Sequence, residues 1–96
     1  MYGTVARMHV KPGAIDKMQT VMKEYDGLAI PGFVDTLVFR MDNDPNELYL
    51  VAVFDSKESY LNNAGDPAQN ARYLKMAELL DGEPEWHDGE IVYQMK

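Results

Sequence analysis

The chain contains no cysteine, and that alone excludes a disulfide framework, a thiol nucleophile and a thiolate metal site. It has only 2 histidines, too few to complete a histidine-rich metal centre unaided. Basic residues are also scarce. Lys+Arg number 9 against 16 Asp+Glu, so the net charge is −7 and nothing on the surface is suited to releasing counterions from a nucleic acid or to holding an anionic membrane. No apolar run approaches the roughly 18 residues of a membrane span, and Met1-Tyr2-Gly3-Thr4 lacks the basic and apolar regions of a signal peptide. The expectation is a cytoplasmic protein. What the chain does have is 46 % apolar residues in a length of 96, enough for one domain spanning 1–96 with some apolar surface left over for a second chain to cover.

Hydrophobic periodicity divides the chain into strand and helix segments. Tyr2 to Val10 alternates, with Thr4, Ala6 and Met8 on one side and Val5, Arg7 and His9 on the other, the two-residue period of a strand. Lys11-Pro12-Gly13 ends it. From Ala14, the positions Ile15, Met18, Met22 and Tyr25 recur at helical spacing until Gly27. Phe33 to Met41 reads as a second strand, with Phe33, Leu37, Phe39 and Met41 on one face, and Leu48 to Phe54 as a third, joined by the turn formers of Asp42-Asn43-Asp44-Pro45-Asn46. Ser56 caps a short helix that breaks at Asn62-Asn63-Ala64-Gly65. Asp66-Pro67 starts the next one, which carries Tyr73, Met76, Ala77 and Leu80 on one face and closes at Asp81-Gly82. Glu83 to Gln94 supplies a fourth strand around Ile91, Val92 and Tyr93, with a turn expected between Trp86 and Ile91.

The order β-α-β-β-α-β predicts an α+β, ferredoxin-like fold in which an antiparallel sheet carries both helices on one face. The opposite face, with apolar side chains such as Val38, Val51 and Val53 or their alternates, then needs a cover. A homodimer formed through that face, closing a dimeric α/β barrel, is the expectation. Arg7 and Arg40 are placed to pair across such a dimer with acidic groups such as Asp35 or Glu47.

Four short stretches together resemble the antibiotic biosynthesis monooxygenase (ABM) domain of the dimeric α/β-barrel superfamily. They are Val10-Lys11-Pro12-Gly13 after the first strand, Pro31-Gly32-Phe33 before the second, Leu50 to Phe54 running into Asp55-Ser56-Lys57-Glu58-Ser59-Tyr60, and His87-Asp88-Gly89-Glu90-Ile91-Val92 at the close. The resemblance spans essentially the whole chain and is structural in kind. It implies one of several activities. The haem-degrading branch has an asparagine, a tryptophan and a haem-ligating histidine at positions that fall on Ala6, Asn63 and Tyr73 here, and all three depart, although a tyrosinate is able to bind ferric haem. The other branch acts on quinols and polyphenols with no cofactor. There, as the resemblance implies, a phenolic substrate is deprotonated and its carbanion passes an electron to oxygen, inside an apolar cavity with a few polar groups.

For that chemistry the candidate catalytic residues are Asn62, Asn63, Tyr73 and His87, and the candidate substrate-binding residues are Tyr60, Arg72, Met76 and Trp86. The asparagines offer amide donors, the tyrosines phenol donors, Arg72 a positive charge, and His87 a base that titrates near neutrality. Each also has a plain structural reading: asparagines suit a helix break, tyrosines and Met76 pack on helix faces, and Trp86 anchors a core or an interface. His87, Asp88 and Glu90 do not make a metal site, because on a strand His87 points away from both carboxylates. Function therefore reads as a cofactor-independent monooxygenase, an oxidoreductase acting on an aromatic or quinol-like molecule. The alternatives are a non-catalytic dimeric barrel that binds small molecules or serves in stress, and an isomerase or decarboxylase on the same fold. Whether side chains fill the space between helices and sheet separates the enzyme from the non-catalytic barrel, and the isomerase or decarboxylase needs an acid or base converging on the pocket, for which His87 is the one visible candidate.

Overall fold

A computed structural model describes residues 1–95. Its elements are β1 (Tyr2–His9), α1 (Ile15–Lys23), β2 (Phe33–Arg40), β3 (Glu47–Phe54), α2 (Lys57–Ala64), α3 (Pro67–Ala77) and β4 (Glu85–Glu90). The four strands form one antiparallel sheet in the order β2-β3-β1-β4, with all helices on one face, which is the expected ferredoxin-like arrangement. Within the chain the sheet is open, with β2 and β4 as edges.

The alternation read in β1 sets the layers. Thr4, Ala6 and Met8 are buried beneath the helices, while Val5 and Arg7 are exposed on the outer face. Ala6, Met8 and Val10 pack with Leu48, with Met18 of α1 and with Met76 and Leu80 of the α3 region. Full burial of a methionine such as Met8 or Met18 contributes about 1.5–3 kcal/mol, so this cluster holds the helices to the sheet. It occupies only one end of the sandwich: it gathers where β1 ends and β3 begins, leaving the end marked by Thr4, Ala52 and Phe54 outside the cluster.

The helix starts follow from local chemistry. Ser56 Oγ accepts the Ser59 amide at 3.1 Å, and Asp66 Oδ1 accepts the Ala68 amide at 2.9 Å with Pro67 in the first turn of α3. Gly32 adopts φ +78°, and a Cβ there would run into the Ser59 side chain, so α2 packs close against the entry to β2.

Three expectations are corrected. Asn62 and Asn63 lie within the last turns of α2 rather than in the break, which falls at Gly65 and Asp66. The fourth strand is Glu85–Glu90, with no turn between Trp86 and Ile91; Ile91 to Met95 lie beyond it, and Val92, Tyr93 and Met95 are strongly exposed. Residues 85–90 are poor strand formers by type, but they pair with β1 from Tyr2↔Glu90 to Arg7↔Glu85, and this pairing overrides propensity. Phe33 does not share a face with Leu37 and Phe39. An irregularity between Phe33 and Asp35 shifts the register, so Phe33 sits opposite Phe54 and packs its ring edge-on at 6.0 Å.

Within the chain the arginines have partners of their own. Arg7 pairs with Glu47 of its own chain, its Nε donating to Glu47 Oε2 at 2.7 Å, and Arg40 Nε donates to the Pro45 carbonyl at 3.0 Å.

Candidate functional site

Where the core ends, the space between helices and sheet is open. A cavity of about 910 Å³ lies over the sheet from β2 to β4 and beneath the ends of α1, α2 and α3. Ligand pockets run from roughly 300 to 1,000 Å³, so this one has room for a flat polycyclic molecule. Its walls are mainly apolar and aromatic. Phe33, Val38, Leu50, Ala52 and Phe54 face it from the sheet, Met22, Leu61 and Met76 from the helices, and Tyr25 from the turn after α1.

Five of the eight candidate residues line this cavity. Asn63, half-buried near the end of α2, presents its amide, and Tyr73 and Met76 enter from α3. Tyr73 packs against Trp86 with ring centroids 6.1 Å apart. Burial, helped by the negative charge of Glu83, pushes the Tyr73 phenol up, so it stays protonated and available as a hydrogen-bond donor. Trp86 stands opposite Ala6 in the β1·β4 register, which directs it to the helix side of the sheet.

The other three are elsewhere. Asn62 is exposed and outside the lining. Arg72 Nε donates to Gln69 Oε1 at 3.2 Å, and its guanidinium lies 5.5 Å from the centroid of the Tyr25 ring, behind the wall. His87 is opposite Val5 in the register, so it faces the outer side and hydrogen-bonds Glu85 Oε1 through Nε2 at 2.7 Å. The whole thickness of the sheet separates it from the cavity.

Tyr60 is held at the polar end of the cavity. Its ring lies 5.4 Å from Tyr2 and 5.6 Å from Phe54, and its hydroxyl donates to Asp88 Oδ1 at 2.9 Å. Burial and the Asp88 carboxylate push Tyr60 up to about 12, against a smaller opposing effect of the Thr4 hydroxyl. A tyrosine that binds its proton more tightly folded than unfolded stabilises the fold below its unfolded pKa near 10.0 and loses that contribution as pH rises through about 12. Removing the group by Tyr60→Phe is therefore expected to flatten the alkaline fall in stability between those values, a change that denaturation curves of both proteins across that pH range would reveal.

Sequence reasoning singled out Asp88 only as a discounted metal ligand. Its place in the cavity follows from parity with Trp86 two residues earlier on the same strand, a signal hidden by the expected turn. Among the described residues no three His, Asp or Glu side chains converge as a metal ion requires. No helix among them is long and apolar enough to cross a membrane.

Comparison with known proteins supports the sequence resemblance. A family model described as antibiotic biosynthesis monooxygenase matches residues 1–71. A protein from Chloroflexus aurantiacus that carries this family's name has a crystal structure with TM-score 0.82 and 23 % identity, covering 99 % of this chain and 96 % of that one. SnoaB, a cofactor-independent oxygenase from Streptomyces nogalater, solved as an asparagine-to-alanine mutant, gives TM-score 0.84 and 18 % identity over 98 % of this chain and 95 % of its own. A conserved protein from Methanosarcina mazei gives 0.81 and 20 %, over 92 % and 89 %. At these identities the structures speak for the fold. No curated protein matches the chain significantly in sequence.

Proposed function

The chain belongs to the antibiotic biosynthesis monooxygenase family, and from that premise we propose that it is a cofactor-independent monooxygenase acting on a flat hydroxyaromatic, quinol-type molecule. The open cavity carries this reading. If Tyr60, Tyr73 and the methionines had filled the space between helices and sheet, no substrate would fit; instead they form the walls of about 910 Å³. The apolar surfaces around Phe33, Phe54 and Trp86 suit a planar ring system, and the polar groups are few and located at particular points, as orientation of a ligand requires.

In the reaction, a bound phenol gives up a proton to solvent and the resulting carbanion passes an electron to dioxygen. The radical pair recombines through a new C–O bond and takes up a proton to give a hydroperoxide; loss of the remaining C–H hydrogen with cleavage of the O–O bond then leaves a carbonyl where the CH₂ group stood and releases the second oxygen as water. The protein's part is to hold the ring, stabilise the phenolate and exclude bulk water. Asn63, Tyr73 and the Trp86 indole supply neutral hydrogen-bond donors for that oxyanion. Asn62, Arg72 and His87 have no part in it, because they lie outside the cavity.

The reading also includes a homodimer of a single domain, 1–96, acting in the cytoplasm. Its support is the outer face of the sheet, where Val5, Leu37 and Phe39 are 45 %, 55 % and 49 % exposed and Val51 and Val53 lie between them. Gly3 and Gly89 leave a notch of about 150 Å³ in that face beside Val5, Val51, Val53 and Ile91, shaped to receive a side chain from a second copy.

Oxygen uptake by chelator-treated protein, measured across dihydroxynaphthalenes and anthrone-type phenols, tests the proposal. Turnover of at least one compound is expected. Asn63→Ala and Tyr73→Phe are each expected to lower kcat by about a hundred- to a thousandfold, the range that follows removal of one oxyanion donor or one positioned proton donor. Ligand-induced stabilisation without oxygen uptake would favour a non-catalytic binding protein.

A further inference from the structure

The polar end of the cavity contains an arrangement that explains more than phenol binding in general. Tyr60 occupies Asp88 Oδ1, while Asp88 Oδ2 takes no hydrogen bond among the described residues, and Asp88 is exposed on the cavity wall. Beside them, Thr4 also lines the cavity and is only 5 % exposed; its Oγ1 is buried without a well-formed hydrogen bond, yet near enough to the Tyr60 hydroxyl to act on its pKa. Buried hydroxyls nearly always have partners, so an orphan at a cavity floor points to a partner that arrives with the ligand or moves when it binds. Thr4 and Asp88 are directly opposite in the β1·β4 register, which puts all three groups at one spot.

We propose that Asp88, held by Tyr60, is the hydroxyl anchor of the cavity: its free oxygen accepts a hydrogen bond from the O–H of an uncharged hydroxyaromatic ligand, and the same carboxylate repels aromatic acids. The inference rests on the hydroxyaromatic reading of the cavity and names the selection it makes. The charges around the site agree with it. Asp26, Asp35 and Asp88 line the cavity against a single cation, Lys23, while Arg72, the obvious partner for a ligand carboxylate, is not in the lining and is engaged by Gln69 and the Tyr25 ring, two residues of the wall.

Tyr60 and Thr4 hold the anchor in place. With its pKa near 12, Tyr60 keeps its proton at any working pH and remains a donor. Its ring is fixed between Tyr2 and Phe54, but the O–H rotates freely about the C–O bond. When a ligand with two neighbouring hydroxyls takes both Asp88 oxygens, the Tyr60 hydrogen turns to Thr4 Oγ1, and the orphan gains its partner. Tyr60 and Thr4 are thus positioning residues.

Trp86 is the only tryptophan and lines the cavity, so its fluorescence reports occupancy. A dihydroxynaphthalene, its dimethyl ether and a naphthoate are titrated under nitrogen into wild type, Asp88→Asn and Tyr60→Phe, with apo melting curves for each. Wild type is expected to bind the diol at least about tenfold more tightly than the ether or the acid, the size of a charge-assisted hydrogen bond. Asp88→Asn is expected to erase the preference over the ether and to strengthen naphthoate binding about tenfold. Tyr60→Phe, which keeps the carboxylate but frees it to move, is expected to reduce the preference without admitting the acid. Wild-type binding of all three probes with equal affinity, or a preference unchanged in Asp88→Asn, overturns the anchor and leaves the cavity reading standing. Quenching by none of the three overturns both.

Discussion

Replacing Ala52 with phenylalanine is expected to weaken hydroxyaromatic binding by at least about a hundredfold while leaving the apo protein as stable as before. Ala52 lies on the central strand β3, opposite Thr4 on one side and Thr36 on the other, and its methyl group faces the cavity. A phenyl ring at that point lies across the floor beside Thr4, where a ligand would meet the polar end. The usual cost of enlarging a packed side chain, about 1–3 kcal/mol, does not arise because the ring enters open space, and phenylalanine is at home in a strand. A hundredfold loss corresponds to about 2.7 kcal/mol, reachable by blocking one anchoring contact and part of the apolar wall. Calorimetric titration with a dihydroxynaphthalene, alongside a melting curve, separates the two effects. Unchanged affinity would mean that ligands bind away from the sheet.

The second large effect concerns the outer face. A glutamate at Val51, combined with one at Leu37, is expected to halve the particle mass from that of two chains to that of one, 10.9 kDa. Val51 is opposite both Val5 and Leu37, at the centre of the apolar patch, so a charge there is desolvated whenever two copies meet. Burying an unpaired carboxylate costs about 3–5 kcal/mol, which raises a dimer Kd by two to four orders of magnitude. Neither residue lines the cavity, and the helix-side core is untouched, so the monomer is expected to remain folded. Light scattering of wild type and variant at micromolar concentration reads the result. A wild-type mass equal to one chain contradicts the dimer, and with it the function assigned to the apolar patch.

These two faces show how far the sequence could be read. The strict alternation of Thr4, Ala6 and Met8 against Val5 and Arg7 distinguishes the two sides of β1, because every second side chain must point the same way. The caps at Ser56 and Asp66 are equally legible, since each depends on neighbours within three residues. Three features were not. The displacement of Phe33 to the helix side depends on an irregularity at the start of β2, and nothing local to residues 33–35 announces it. The fourth strand was expected within Glu83 to Gln94, but its bounds hid because Glu85 to Glu90 are polar and include a glycine, whereas the more strand-like Ile91, Val92 and Tyr93 follow them; pairing with β1 is a long-range fact. That one error moved His87 into the candidate site and left Asp88 out, since a strand ending at Glu90 gives Trp86 and Asp88 one face and His87 the other. Asn62 and Asn63 were indistinguishable as members of a break. Once they are seen to be helical, their 100° separation around α2 exposes one and turns the other to the cavity.

Monooxygenation is read by following the oxygen atoms. Chelator-treated protein is incubated with an anthrone-type phenol under heavy-isotope dioxygen, and the product is analysed by mass spectrometry, with Ala52→Phe as the blocked control. A quinone carrying one labelled oxygen atom is expected, formed by wild type well above the protein-free blank and at blank level by Ala52→Phe. Product formed equally by both proteins, or no labelled product from any compound that demonstrably quenches Trp86, would contradict it.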